Sequence, residues 1–248
     1  MKSKTQKSNP IESSQIEAVK QELALLADPQ QAVILQRFFK TGPGEYGAGD
    51  IFRGIKVPVI RQIARKYQAM PLPLVAELLR AEIHEDRLLA LLILVLSYKK
   101  ADSAKRAAIY ELYLANTRFI NNWDLVDLSA AYIVGPHLFG QNCEILHHLA
   151  RSILLWDRRI AIMASFYFIR QGEFDETLRL AEILLHDRED LIHKAVGWML
   201  REIGNRDRSC EEHFLQRYYR EMPRTMLRYA IEKFPEELRQ DYLKGRIG

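Results

Sequence analysis

Cysteine is scarce: the 248 residues hold two, Cys143 and Cys210. A disulfide framework or a zinc site needs more than that, so buried or incidental thiols are expected. Long apolar runs are also missing. The longest, Leu88 to Ser97, is too short to span a bilayer. The opening MKSKTQKSNP lacks the apolar core of a signal peptide. It reads as a disordered tail over residues 1–12, and the chain as cytoplasmic with no membrane contact. Seven histidines are scattered, and neither His147-His148 nor His193 falls in HExxH or similar metal spacing. GPGEYGAG lacks the Lys-Ser/Thr ending of a phosphate-binding loop and follows no strand, and no GxSxG elbow is present. No metal and no nucleotide or other cofactor is therefore predicted. Period-2 alternation is absent as well. Leu91 to Leu96 suits a buried strand in isolation, but it lies inside a longer helical run.

What remains is helix. Apolar residues make up 48% of the chain, enough for a sizeable core. Ser14-Gln15-Ile16-Glu17 has capping-box spacing ahead of an apolar run to Leu26. Asp28-Pro29 reads as an N-cap followed by the first helical residue, with that helix running to about Phe39. Thr41 to Asp50 is a glycine-rich loop. Pro58 opens a helix carrying Ile60, Ile63, Ala64 and Tyr67, and Pro73 a short one. Glu85 to Ser97 is strongly apolar. Ser209-Cys210-Glu211-Glu212 is a second capping-box pattern, and Pro235 starts the last helix.

A weak repeat runs through these helices. DRLLALLILVL from Asp86, WDLVDLSAAYIV from Trp123, DRRIAIMASFYFI from Asp157, DLIHKAVGWML from Asp190 and PRTMLRYAIEKF from Pro223 resemble one another. Their starts lie about 33 to 38 residues apart, the scale of a two-helix unit. Units of this size stack into a solenoid with a concave face. A bundle with similar helix lengths is the alternative. The expectation is an all-α, HEAT-like solenoid, one repeat domain over residues 13–248.

Several residues stand out on these helices. Trp123 and Asp127, four apart, share a helix face one turn apart. Asp127 sits in an apolar run, where an unpaired charge is costly. It is either an arginine's partner joining two repeats or a carboxylate at the edge of a groove. Arg158 and Arg159 are adjacent, so they project about 100° apart; one can pair internally while the other faces outward. Trp198 follows Gly197, whose place within a helix costs about 1 kcal/mol relative to alanine and marks close approach of a backbone or ligand. Ordinary core packing is the alternative for both. Lys194, Arg201, Arg224 and Arg228 fall on the later repeat helices, as a phosphate-binding track or as a solvated outer face. The net charge of +4 permits a polyanionic partner without requiring one.

DIFRGIKVPVIRQIA from Asp50, NNWDLVD from Asn121, WDRRIAI from Trp156, HKAVGWMLRE from His193 and PRTMLRYAIEKF from Pro223 together resemble the AlkD-like DNA alkylation repair proteins, in that family's order and spacing. The resemblance implies a HEAT-like solenoid whose basic concave surface embraces duplex DNA. It implies a monofunctional, monomeric glycosylase that cleaves the N-glycosidic bond of cationic purines such as 3-methyladenine and 7-methylguanine. The family's catalytic aspartate matches Asp127, its groove tryptophans Trp123 and Trp198, and its arginine Arg159. Arg158, Lys194, Arg201, Arg224 and Arg228 are the expected DNA contacts. The competing readings are a non-catalytic module that binds unusual DNA structures and a helical-repeat scaffold for proteins.

Overall fold

The computed structural model describes residues 10–247. Residues 1–9 of the expected tail lie outside the described residues. Every regular element among the described residues is helical; an isolated bridge joins Ile51 to Ile83. No helix among them is long and apolar enough to cross a membrane. The chain falls into two compact units, Met1–Leu125 and Val126–Gly248.

The first unit holds α1 (Pro10–Leu25), α2 (Pro29–Phe38), α3 (Val57–Lys66), α4 (Leu72–Leu79), α5 (His84–Lys100) and α6 (Ser103–Leu114). The short α7 (Trp123–Asp127) contains the boundary between the units. α3 and α4 pack against α5. α2 starts where the sequence places it: Asp28 Oδ1 accepts from the backbone N–H groups of Gln30 and Gln31, each at 3.0 Å, with Pro29 as first helical residue. The box at Ser14 is a different case. α1 already begins at Pro10, so Ser14 lies inside the helix rather than at its cap.

Four consecutive charged residues at the head of α5 are buried: His84, Glu85, Asp86 and Arg87 are each at most 4% exposed. Buried charge requires partners, and the DIFRG segment supplies them. Glu85 accepts the backbone N–H groups of Arg53, Gly54 and Ile55 at 2.8–3.1 Å. Arg53 grips Asp86 through Nε and Nη2, both at 2.9 Å. Gly54 has φ +87°, and a Cβ there would lie 2.1 Å from the Asp28 carbonyl oxygen, so only glycine fits.

The second unit contains α8 (Ala130–Leu138), α9 (Glu144–Ala150), α10 (Leu155–Ala164), α11 (Phe166–Arg170), α12 (Asp175–Ile183), α13 (Asp190–Gly204), α14 (Arg208–Tyr218), α15 (Arg224–Ala230) and α16 (Glu236–Leu243). α8, α10, α13 and α15 carry the repeated segments. Each packs on the next, α8 on α10, α10 on α13 and α13 on α15. This nearest-neighbour stacking is the helical-repeat build expected from the spacing.

Glycine sets the approach in two of these contacts. A Cβ on Gly135 would lie 2.3 Å from the Ala164 oxygen and 2.7 Å from Tyr167 Cβ. One on Gly197 would lie 2.4 Å from the Met226 oxygen and 2.5 Å from Tyr229 Cβ. The Gly197 anomaly is thus explained by a neighbouring backbone. Gly197→Ala gains up to about 1 kcal/mol of helix propensity but forces α15 off α13, an overpacking cost of about 1–3 kcal/mol. The backbone oxygen cannot swing away, so the cost wins. A lower Tm is expected, and an unchanged or raised Tm in thermal denaturation would refute the close-approach account.

The N-cap of α14 is Asp207, whose Oδ1 accepts from the Cys210 N–H at 3.0 Å; Ser209, expected as cap, donates its hydroxyl to that same oxygen at 2.7 Å. The helix therefore begins one residue before the expected box. Glu211 then points inward, 2% exposed, with Oε1 unpartnered among the described residues. Burial pushes its carboxyl up to about 8 from 4.5. The folded protein holds a proton that the unfolded chain releases, so stability falls as pH rises from 4.5 to 8 and then levels. Glu211→Gln is expected to flatten this dependence and to raise stability at pH 8 by about 4 kcal/mol. Urea denaturation at pH 5 and pH 8 measures both, and identical pH slopes in the two proteins would dismiss the assignment.

Candidate active site

Asp127 closes α7, and the apolar run after it does not continue as one helix. Ser129, fully buried, turns its hydroxyl to the Val126 carbonyl at 3.4 Å, and α8 starts at Ala130. The break leaves Asp127 at a helix end, its side chain 14% exposed. Arg159, in the second turn of α10, meets it in bidentate fashion: Nε donates to Oδ1 at 2.9 Å and Nη2 to Oδ2 at 2.8 Å. The third limb, Nη1, donates to the Leu191 carbonyl at the head of α13, at 2.5 Å. One guanidinium therefore ties together α7, α10 and α13, and the carboxylate is fixed in direction by two charge-assisted bonds. The pairing of Asp127 with an arginine is thus present, and the carboxylate keeps 14% of its surface exposed.

The neighbouring Arg158 is also engaged internally. Its Nε donates to Asp187 at 2.6 Å, and its Nη1 to the carbonyls of Ser152 and Ile153 at 3.0 and 3.1 Å. Neither member of the arginine pair is thus left facing outward alone.

Trp198 lies on α13 in the same stripe as Lys194 and Arg201, all partly exposed. Its indole N–H donates to Glu202 at 3.2 Å, and its ring stands 6.0 Å from Phe166. Lys194 pairs with Asp190 at 2.7 Å, and Arg201 with Glu232. Arg224 and Arg228 are exposed on α15, the former donating to the Leu243 carbonyl at 2.7 Å. Trp123 belongs to the first unit. There it stacks on Phe39 at 5.1 Å and meets Phe38 edge-on at 5.8 Å.

A buried ionic network in that unit has no signature in the chain's patterning. His84 bridges Asp50 through Nδ1 and Asp124 through Nε2, both at 2.8 Å. Arg87 donates to the other Asp50 oxygen at 2.6 Å, and Asn122 to Asp50 at 3.4 Å. Burial alone lowers the pKa of His84, but the bonds to Asp124 and Asp50 and their charges outweigh it and lift the imidazole to about 9. Burial disfavours the charge on Asp50, yet His84 and Arg87 hold it below its ordinary value. Phe52 and Phe39 lie on the His84 ring at 4.3 and 5.2 Å, so this network also seats the aromatic stack that carries Trp123. Among the described residues, no group of three or more His, Cys, Asp or Glu side chains is arranged to hold a metal ion. Cys143 and Cys210 are free, half-buried thiols; burial, the largest influence on each, raises both.

Comparison with known proteins bears on this arrangement. The chain is similar to a solved structure from Enterococcus faecalis described as a predicted DNA alkylation repair enzyme, with TM-score 0.65, 15% sequence identity, and coverage of 85% of this chain and 97% of that one. At that identity the likeness speaks for the fold alone. No curated protein matches the chain in sequence. The family model for DNA alkylation repair enzymes matches residues 19–234, a span that includes Trp123, Asp127, Arg159 and Trp198. The chain belongs to the DNA alkylation repair enzyme family.

Proposed function

We propose that the protein is a DNA glycosylase that hydrolyses the N-glycosidic bond of cationic alkylated purines in duplex DNA, with Asp127 as its catalytic carboxylate. The observation that carries this reading is the bidentate clamp of Arg159 on a partly exposed aspartate. A purine alkylated at N3 or N7 already bears positive charge and leaves without protonation, so no general acid is needed. Bond cleavage leaves oxocarbenium character on the deoxyribose. A carboxylate whose direction is set in advance stabilises that charge without reorganising during the reaction. A carboxylate offers about four acceptor directions, and Arg159 takes two of them.

Arg159 is 5% exposed and spent on Asp127 and Leu191, so in this reading it positions the carboxylate rather than gripping a phosphate. In the second unit Trp198 lies against the damaged nucleotide and excludes water, and Trp123 matches the family's other groove tryptophan. Arg224 and Arg228 offer phosphate contacts, with Arg158, Lys194 and Arg201 contributing less because their charges are already paired. The test is release of free base from duplex DNA containing 7-methylguanine, set against the neutral lesion 1,N6-ethenoadenine. Release of the first and not the second is expected. Equal release of both would count against a mechanism that depends on the lesion's own charge.

A further inference from the structure

The loop that leads into α10 displays two apolar side chains to solvent: Ile153 is 94% exposed and Leu154 47%. Scattered surface hydrophobics are ordinary. This pair is different because the loop beneath it is braced by four hydrogen bonds. Arg158 Nη1 holds the carbonyls of Ser152 and Ile153 and is itself anchored on Asp187 through Nε. The Ser152 hydroxyl donates to Asp157 at 2.8 Å and accepts the Leu154 N–H at 3.1 Å. The tip therefore has no easy way to fold its side chains back onto the protein.

The first unit contains the same brace without an exposed apolar pair, since half-buried Ile83 stands at the place of Leu154. Arg87 Nη1 reaches back six and five residues to the carbonyls of Ala81 and Glu82, at 3.0 and 2.7 Å, the offsets that separate Arg158 from Ser152 and Ile153. The residue displayed at the place of Ile153 is there the exposed Glu82. The brace recurs, while the apolar tip belongs to the helix that carries Arg159.

We infer that Ile153 and Leu154 pack against deoxyribose and base edges in the minor groove of the bound duplex, beside the nucleotide on which Asp127 acts. This rests on the glycosylase reading. Two observations favour a groove as the occupant. The tip is flanked by cations, with exposed Arg151 two residues before Ile153 and exposed Arg188 next to the Asp187 that anchors Arg158; the exposed acids nearby are Glu189 and Asp190, the latter paired with Lys194. An apolar tip between cations matches a groove, whose sugars and base edges lie between two rows of phosphates. The chemistry supplies the choice of groove. The sugar carbon that loses the base opens toward the minor groove, so a carboxylate acting there brings the head of α10 to the same side.

The test uses the full chain with Ile153 and Leu154 both changed to serine. Both positions are exposed, so an unchanged Tm is expected. Binding to the 7-methylguanine duplex is followed by fluorescence anisotropy across 50–200 mM salt. Affinity is expected to fall about tenfold at every salt concentration, with the slope of log K against log salt unchanged, because an apolar contact releases no counterions. Arg151→Ser in parallel should reduce the slope by about one, as loss of a phosphate contact does. Full affinity in the double-serine variant, with wild type still binding and releasing base, would overturn the inference and leave the glycosylase reading standing. No binding or release by wild type would remove the glycosylase reading itself. Loss of self-association on serine substitution, with DNA affinity intact, would assign the tip to a second copy of the chain and also overturn the inference.

Discussion

Asp127→Asn is expected to lower the rate of base release by about 10²–10³ while binding of the same duplex is retained. The amide is nearly isosteric and still accepts one bond from Arg159. What it removes is the negative charge that, in the proposed mechanism, faces the developing cation. The substitution also weakens a joint within the second unit, since Arg159 keeps its own charge while losing an ionised partner. A loss of about 1–3 kcal/mol of stability is therefore expected alongside the kinetic effect. The two effects are separable. Single-turnover release at a temperature where both proteins are folded reads the chemistry, and urea denaturation reads the joint. A variant that loses stability but keeps its rate would reduce Asp127 to a structural tie between repeats.

The second large effect lies in the other unit. Asp50→Ala removes the carboxylate shared by His84 and Arg87, leaving two buried cations with Asp124 as the remaining carboxylate. Breaking a buried pair in this way costs about 3–5 kcal/mol, a large share of the stability of an ordinary domain. His84 adds a pH dependence to the wild type. Its folded pKa of about 9 lies above the unfolded value near 6.5, so its contribution is complete below pH 6.5 and is lost as pH rises through 9. Replacing His84 with glutamine should remove that window and leave the slope due to Glu211 between pH 4.5 and 8. Denaturation at pH 6, 7.5 and 9 measures both, and a wild type equally stable at pH 6 and 9 would contradict the charge assigned to His84.

These cases show where sequence alone suffices. Asp28-Pro29 was legible because a cap and its helix are neighbours in the chain. The repeat spacing was legible because each unit buries the same kind of face. The capping boxes at Ser14 and Ser209 misled because a local pattern does not show which side chain reaches the free N–H: Asp207, two residues before Ser209, takes it. The helix through Asp127 reads as continuous in composition, and only the buried Ser129 reveals its break. The Asp50–His84–Asp124 network spans 34 and 40 residues. It depends on the segment at Asp50, the head of α5 and α7 meeting in register, which no periodicity encodes. Of the candidate site, the residue types were visible, as was the option that Asp127 pairs with an arginine. That Arg159 carries this pairing through three limbs emerged only from the geometry.

The three limbs of Arg159 reach back to Asp127 and forward to Leu191, so the carboxylate is held only while three successive repeats are docked. A transient opening of α13 alone would free one limb of the guanidinium and loosen the aspartate. Amide exchange in α13 should then follow the same opening that disarms the carboxylate. In the glycosylase reading, a partly unfolded chain that still clings to DNA through its cations would thereby lose its hold on Asp127, and with it the means to cut.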